Sequence, residues 1–178
     1  MKNRFLISML ATLFVAGIMA SCDLFDKADD ISFSTEFKES FNVEDGNGSY
    51  AKTITLDATT DPEVAKYKEK IQKIALNKVT YMVSNYVGSP DATFSGDVLF
   101  GLNGKLGTVG ISGLNLADAS GSGAEMELDL SQDEVNAVAA QLKGDKAVDV
   151  TMAGEFTNGP VNFTVTVKIN AKVTADAL

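Results

Sequence analysis

The sequence contains no histidine, no tryptophan and only one cysteine, Cys22, in 178 residues. Without histidine the chain has no means of building a Ser-His-Asp or Cys-His catalytic group, nor the usual histidine-containing sites of zinc enzymes. A single cysteine closes no intramolecular disulfide bond and forms no thiolate cluster. These absences leave carboxylates, hydroxyls and amides for chemistry, and they predict a protein that is not an enzyme and that holds no cofactor or metal.

Positive charge is also scarce, because the formal net charge is −9 at pH 7. Lys2 and Arg4 are the only charged residues before Cys22, so the remainder of the chain is more acidic still. A surface of this sign repels the phosphate backbone of nucleic acids and anionic lipid headgroups. The composition therefore predicts a well-solvated surface and no nucleic-acid partner.

Residues 1–21, MKNRFLISMLATLFVAGIMAS, place two basic residues before an apolar run. This order is typical of a secretory signal peptide. A buried helix or a single membrane anchor is the alternative, since a run of about 16 apolar residues nearly spans a bilayer. The small residues that end the run, followed at once by acidic sequence, favour removal of residues 1–21.

The stretch from Ile18 to Cys22, IMASC, resembles the lipobox of bacterial lipoproteins, with Met19 where that family more often has leucine. The resemblance implies that the Cys22 sulfur carries a diacylglyceryl group, that cleavage occurs before Cys22 and that the new amine is acylated. More than one acyl chain gives stable anchoring. We therefore expect Cys22 to be a lipidation site and the protein to be an outer membrane lipoprotein of a bacterial cell envelope. A free buried thiol is the alternative.

Residues 22–30 form a predicted acidic tether between the lipid and the folded domain. Its four aspartates resemble the export signals of surface lipoproteins in Bacteroidetes-type bacteria, although Leu24, Phe25 and Lys27 interrupt them. A short polar linker suits any lipoprotein. The tether therefore leaves two locations open, periplasmic and surface-exposed.

From residue 31 to residue 175 the dominant hydrophobic period is two. In the stretch 161–174, VNFTVTVKINAKVT, apolar and polar residues alternate strictly, which is typical of a half-buried antiparallel strand. Shorter patterns of this kind predict about eight strands, and the stretches 44–49, 88–91 and 157–160 carry the Gly, Asn and Pro residues of turns. The expected fold is a single all-β domain, an antiparallel two-sheet sandwich that is either immunoglobulin-like or jelly-roll-like.

Two short amphipathic helices are predicted among the strands. Residues 59–75 begin with Asp61 as a cap and Pro62 at the first helical position, and they continue with an apolar stripe of Val64, Tyr67, Ile71 and Ile74. Residues 131–144 carry a capping box at Ser131 and Glu134 and end at Gly144. We expect both helices to cover the core of the sandwich, with a partner-docking face as the alternative.

Carboxylates are the side chains that could perform hydrolysis in a chain without histidine. Two of them on either side of a cleft can act as general acid and base. The pairs that lie close together in the sequence are Asp57/Asp61, Glu125/Glu127 and Asp129/Asp133.

The sequence offers candidates for two kinds of binding site, a calcium loop and a sugar-binding platform. The stretch 45–50, DGNGSY, resembles the opening of an EF-hand loop but lacks its glycine at position six and its glutamate at position twelve, which favours a turn. For a flat sugar-binding platform, Tyr50, Tyr81 and Tyr86 are the candidates, and Tyr86 is the first choice as a ligand-binding residue.

The segment 78–88, KVTYMVSNYVG, a glycine-rich hairpin and the final strand are similar in pattern to a group of uncharacterised Bacteroidetes-type β-sandwich envelope lipoproteins. That resemblance implies no activity. The leading hypothesis is a lipid-anchored envelope protein with a non-enzymatic structural or protein-binding role. A glycan- or small-ligand-binding accessory of an uptake or adhesion system is the second, and a carboxylate hydrolase is a remote third. The expected partners are the membrane, through the N-terminal lipid, and either an envelope protein or a glycan.

Overall fold

The structure of the protein, a computed structural model, describes residues 29–45 and 48–177. The predicted signal sequence, Cys22 and most of the predicted tether lie outside these residues. The strands are β1 (Asp30–Asp45), β2 (Gly48–Asp57), β3 (Ile71–Gly88), β4 (Thr93–Phe100), β5 (Gly107–Asn115), β6 (Met126–Glu127), β7 (Ala147–Thr157) and β8 (Val161–Asp176). The helices are α1 (Pro62–Tyr67), α2 (Leu116–Ser122) and α3 (Gln132–Asp145), with 3-10 turns at Ala58–Thr60 and Leu102–Gly104.

The strands form two four-stranded antiparallel sheets with the orders β1-β8-β3-β6 and β2-β7-β4-β5. Four strand pairs alternate between the two sheets: β1 with β8, β2 with β7, β3 with β6 and β4 with β5. This is the strand order of a jelly roll, a sandwich of two antiparallel four-stranded sheets. The predicted all-β sandwich of about eight strands is confirmed, and the strand order selects the jelly-roll alternative.

The last strand shows how the alternating sequence makes the core. Seven apolar residues of β8, two positions apart from Val161 to Val173, are all buried. The alternate residues lie on the other face of the sheet, where Thr166 and Thr174 share hydrogen bonds with serine hydroxyls of β1. Because the strands are apolar on one face, the two sheets bury those faces against each other.

The predicted helix over residues 59–75 is wrong in its second half. Helix α1 ends at Tyr67, and Ile71 already belongs to β3. Ile71 pairs with Ala175 and Lys73 with Thr174, so Gln72 is the extra residue of a β-bulge. The bulge brings two inward-facing residues, Ile71 and Ile74, to a spacing of three, which imitates a helical stripe.

The second predicted helix is confirmed, but α2 is not among the predicted elements. Helix α3 has the expected capping box, yet it runs past Gly144 to Asp145, and Lys146 takes the left-handed position with a φ of 62°. The sequence favours a strand that ends at Leu116 and a turn at residues 119–123, where the structure has α2. The Asn115 side chain caps this helix by accepting a hydrogen bond from Asp118 N.

The two ends of the sandwich differ in what they carry. One end, called here the α1 end, holds the start of β1, the end of β8 and helix α1. There Ala177 N donates to Asp29 O at 2.9 Å, and Asp176 N donates to Lys70 O at 3.0 Å. The opposite end, called the α2 end, holds helix α2 and the connections 89–92 and 158–160. Within the described parts of the chain, no helix is both long and apolar enough to cross a membrane.

Candidate functional site

A groove with a volume of about 200 Å³ lies where β3, the connection from β6 to α3, and the start of α3 meet. We call it the β3–α3 groove. It combines one ammonium group, two carboxylates and two amides with apolar side chains. Its lining residues are Leu76, Asn77, Lys78, Val79, Glu127, Leu128, Asp129, Leu130, Gln132 and Val135.

A second β-bulge shapes this groove. Leu76 pairs with Ala171 and Lys78 with Asn170, so Asn77 is the extra residue on β3. Beside it β6 is only two residues long, after which the chain turns away into α3. The short neighbouring strand therefore leaves room for a groove along β3.

The capping box of α3 holds the other wall of the groove. Glu134 accepts hydrogen bonds from Ser131 N at 2.8 Å and from Thr108 N on β5 at 3.1 Å. The hydrogen bonds from the side chain and backbone of Ser131, together with the one from Thr108, hold the pKa of Glu134 below its ordinary value. Glu134 therefore stays charged and links the start of α3 to the second sheet.

The charged groups of the groove are partly paired. Lys78 Nζ lies 3.5 Å from Glu127 Oε2, and both side chains remain about half exposed. Asp129 and Gln132 are exposed. Binding sites for drug-sized ligands are typically about 300–1,000 Å³ and mostly apolar. A smaller and more polar groove suits a small ligand that offers both hydrogen-bond donors and acceptors.

The predicted carboxylate pair Glu125/Glu127 is divided between two lysines. Glu125 Oε1 accepts from Lys168 Nζ at 2.5 Å, and Thr80 Oγ1 donates to Glu125 Oε2 at 3.4 Å. The hydrogen bond from Lys168 lowers the pKa of Glu125, and the same contact raises the pKa of Lys168. The cation beside Glu125 favours the ionised form of this carboxylate.

The pair Asp57/Asp61 serves the backbone. Asp57 accepts hydrogen bonds from the backbone and hydroxyl groups of Thr59, and Asp61 caps α1 by accepting from Glu63 N and Val64 N. Both carboxylates therefore have structural roles.

The third carboxylate pair is split between two places. Asp129 lines the groove, and Asp133 lies in the first turn of α3. An acidic residue in the first turn interacts favourably with the helix dipole. Asp133 therefore supports the start of the helix, and Asp129 is the member of this pair that a ligand in the groove would meet.

Tyr86 lies at the edge of the core, beside a bulge where Asn85 has a φ of 56°. Its ring centroid is 6.3 Å from that of Phe163, and its hydroxyl donates to Ser89 O at 2.6 Å. Burial raises the pKa of this hydroxyl. The side chain is half-buried, so only part of its ring is left for a ligand.

The other two tyrosines considered as sugar platforms also pack inward. Tyr81 is only 8% exposed, so its predicted exposure is wrong. Tyr50 is half-buried, with its ring in edge contact with Phe156 at 5.5 Å. These aromatic rings therefore help to fill the space between the sheets.

The stretch considered for calcium lies partly outside the described residues, which omit Gly46 and Asn47. Among the residues that are described, no three His, Cys, Asp or Glu side chains lie close enough together to hold a metal ion.

Sequence reasoning identifies two members of the groove and misses the rest. It points to Glu127 and Asp129 for acid–base chemistry, but not to Asn77, Lys78 or Gln132. The one available signal is the break in alternation between the buried residues at positions 74 and 79. Such breaks often mark bulges that redirect side chains.

No protein-family model and no curated protein matches this chain. Among solved structures, a chain from Desmodium yellow mottle tymovirus is similar with a TM-score of 0.38 and 12% sequence identity. The match covers 84% of this chain and 82% of the viral one. A similarity this distant carries no argument about function, so a functional proposal has to rest on the residues of this chain.

Proposed function

We propose that this protein is a lipid-anchored component of a bacterial cell envelope with a non-enzymatic structural or protein-binding role. The observation that carries the proposal is the stretch IMASC, which ends at Cys22, shortly before the described fold begins at Asp29. A lipid on Cys22 would leave a short acidic tether and then a single β-sandwich. The anchor would keep the domain at the surface of a membrane.

The contacts of the acidic side chains support a non-enzymatic role. Asp57 and Asp61 cap short helical turns, while Glu125 and Glu127 each lie beside a lysine. A two-carboxylate hydrolase needs one carboxyl group with a raised pKa that protonates the leaving group. The pKa values of Asp61 and Glu125 are instead lowered, so these groups suit structural roles better than acid catalysis.

Replacement of Cys22 tests the anchor. Cys22→Ala should abolish labelling by a palmitate analogue in bacteria and should leave the uncleaved precursor, visible as a larger mass. The matched control is Ser21→Ala, which keeps a small residue before the cysteine and should label normally. Labelling of Cys22→Ala at the level of the unmodified protein would reject the anchor.

A second candidate function, binding of a small polar ligand such as a glycan unit, is favoured by the β3–α3 groove. Lys78 and Glu127 stand 3.5 Å apart at its wall, so a ligand with both an acceptor and a donor could bridge them. Tyr86 is the alternative ligand-binding residue, through the part of its ring that does not pack on Phe163.

Amide chemical-shift titration of the ¹⁵N-labelled protein with neutral and acidic monosaccharides distinguishes the two places. Binding in the groove should shift the amides of residues 76–79 and 127–132, and Lys78→Gln should weaken it. Lys52→Gln, which removes a lysine from the other sheet, should not. Shifts centred on residues 85–89 would favour Tyr86 instead, and an absence of shifts at both places would reject binding of these sugars.

A further inference from the structure

Lysines are concentrated in one short segment of this acidic protein. Residues 66–73, KYKEKIQK, contain four lysines and one glutamate, whereas the whole chain has a net charge of −9. We call this stretch the lysine segment; it covers the end of α1, the following turn and the start of β3. The side chains of Lys66, Lys68, Lys70 and Lys73 are all exposed.

The lysine segment lies beside the point where the chain enters the fold. Lys70 O accepts a hydrogen bond from Asp176 N, and the next residue, Ala177, donates to Asp29 O. Asp29 is the first residue that the structure describes, so a tether that precedes it arrives close to Lys70. From Cys22 to Asp29 a fully extended chain spans at most about 25 Å.

The α2 end of the sandwich has the opposite character. Its described connections, residues 89–92 and 158–160, and helix α2 contain no lysine or arginine, and they carry Asp91 and Asp118. The α1 end carries more carboxylates than the lysine segment has lysines, but the lysines are clustered. These carboxylates are Asp29, Asp30, Asp57, Asp61, Glu63, Glu69 and Asp176. An anionic surface therefore attracts the lysine segment locally and repels the α2 end.

We propose that the lysine segment contacts anionic lipid headgroups and orients the domain with its α1 end toward the membrane and its α2 end away from it. The inference rests on the proposed lipid anchor, which holds the α1 end within a short reach of the bilayer. A lysine near an anionic membrane surface strengthens association by about fivefold. The attraction acts within about 10 Å at 0.1 M salt, which is why the short tether matters.

Contact of the α1 end with lipid leaves other surfaces of the domain for partners. With the α1 end against lipid, the α2 end and the outer faces of both sheets remain accessible to an envelope protein or a glycan. The lining of the β3–α3 groove contains none of the four lysines of the lysine segment. Membrane contact and ligand binding would then use different surfaces.

Lysine labelling of the full lipidated protein tests the contact. The protein is reconstituted into vesicles of phosphatidylcholine alone or of phosphatidylcholine with phosphatidylglycerol, neither of which contains a reactive amine. A membrane-impermeant amine reagent is then added, and the labelling rate of each lysine is measured by mass spectrometry. In the anionic vesicles the rates at all four lysines of the lysine segment should fall by about fivefold, whereas those at Lys38 and Lys52 should not change.

A charge-matched pair of variants provides the control. In Lys66→Gln/Lys68→Gln/Lys70→Gln, the remaining reporter, Lys73, should lose its protection, because the local attraction is gone. A second triple variant, with Lys38, Lys52 and Lys78 all replaced by glutamine, has the same net charge. In this variant Lys73 should keep its protection from labelling. High salt should abolish the protection in the unmodified protein.

The outcomes separate this inference from the proposed anchor. Flotation with the neutral vesicles reports the anchor, and protection of the lysines in the anionic vesicles reports the headgroup contact. Protein that floats with both vesicles but labels equally in both would overturn the contact and leave the anchor standing. Equal protection in both vesicles would indicate contact with another copy of the protein and would also overturn it. Failure to float with neutral vesicles would reject the anchor, and with it the inference.

Discussion

The buried hydroxyl of Thr35 donates a hydrogen bond to the carboxylate of Asp61, which joins the first strand to the first helix. The other oxygen of Asp61 accepts from Glu63 N at 2.8 Å and from Val64 N at 3.1 Å. One carboxylate thus caps α1 and satisfies a polar group at the edge of the core. Because α1 closes the α1 end of the sandwich, this contact links local capping to the closure of the core.

Removal of the Asp61 side chain should destabilise the fold. Asp61→Ala loses the helix cap, at a cost of about 1 kcal/mol, and also leaves the Thr35 hydroxyl without its acceptor. Thr35→Val/Asp61→Ala should therefore lose less than the sum of the two single changes. Urea unfolding of the four proteins gives the coupling energy, and simple additivity would contradict a direct contact.

Asp61 should also make stability depend on pH. Burial raises its pKa, but the hydrogen bonds from Thr35, Val64 and Glu63 outweigh burial and hold the pKa below the ordinary value of 3.8. A depressed pKa stabilises the folded state above pH 3.8, and this contribution is lost as the pH falls through the lower folded pKa. Asp61→Asn keeps a good cap but does not titrate.

The free energy of unfolding of the unmodified protein should therefore fall toward that of Asp61→Asn as the medium is acidified. Urea titrations from neutral pH down to about pH 2 measure the difference between the two proteins. A difference that stays constant over this range would mean that the Asp61 pKa is the same in the folded and unfolded chains.

Two glycines lie opposite each other on β4 and β7, because Gly96 pairs with Gly154. A Cβ atom added to Gly154 would lie 2.6 Å from Gly96 Cα and 2.8 Å from the Phe94 ring. Gly154→Ala should thus cost about 1–3 kcal/mol through overpacking. Gly144 in α3 has no such neighbour within 4 Å, so Gly144→Ala should stabilise the protein by about 0.5–1 kcal/mol.

Thermal unfolding of these two alanine variants measures the contrast. The same chemical change should lower the melting temperature at residue 154 and raise it at residue 144. Equal effects at both positions would show that the close approach of β4 and β7 is not rigid.

The alternating pattern of β8 is enough to predict its buried face, because odd-numbered and even-numbered residues of a regular strand lie on opposite faces of the sheet. A bulge interrupts this alternation, and the bulge at Gln72 gives the start of β3 the hydrophobic spacing of a helix. Helix α2 escapes prediction for a different reason, since its sequence, LADASGS, has two serines and a glycine, which favour turns. Its packing overrides that preference, because Leu116 and Ala119 become buried.

The strand order and the groove lie beyond local sequence. Residues 44–49 predict a turn between β1 and β2, and a simple hairpin would pair the two strands, but they belong to different sheets. Pairing of β1 with β8 joins residues that are far apart in the chain. The β3–α3 groove depends on this order as well, since it forms only where β6 ends beside the bulge at Asn77. Periodicity describes which face of a strand is buried but not which strand lies next to it.

Lys52 protects an edge of the second sheet. Strand β2 is an edge strand whose one paired neighbour is β7, and Lys52 pairs there with the buried Met152. Its register therefore places a charge at an inward-facing position of the edge. Lys52 Nζ donates to Asn42 O at 3.0 Å and lies 5.8 Å from the centre of the Phe41 ring.

Inward-pointing lysines on edge strands discourage pairing with a second molecule. Lys52→Val should fill this position with a residue that favours strands, and it should increase concentration-dependent self-association through β2. Light scattering and size-exclusion chromatography measure the increase. Lys52→Gln keeps a polar group at the position and should stay closer to the unmodified protein. If Lys52→Val remains as dispersed as Lys52→Gln at all concentrations, the charge at this edge has no protective role.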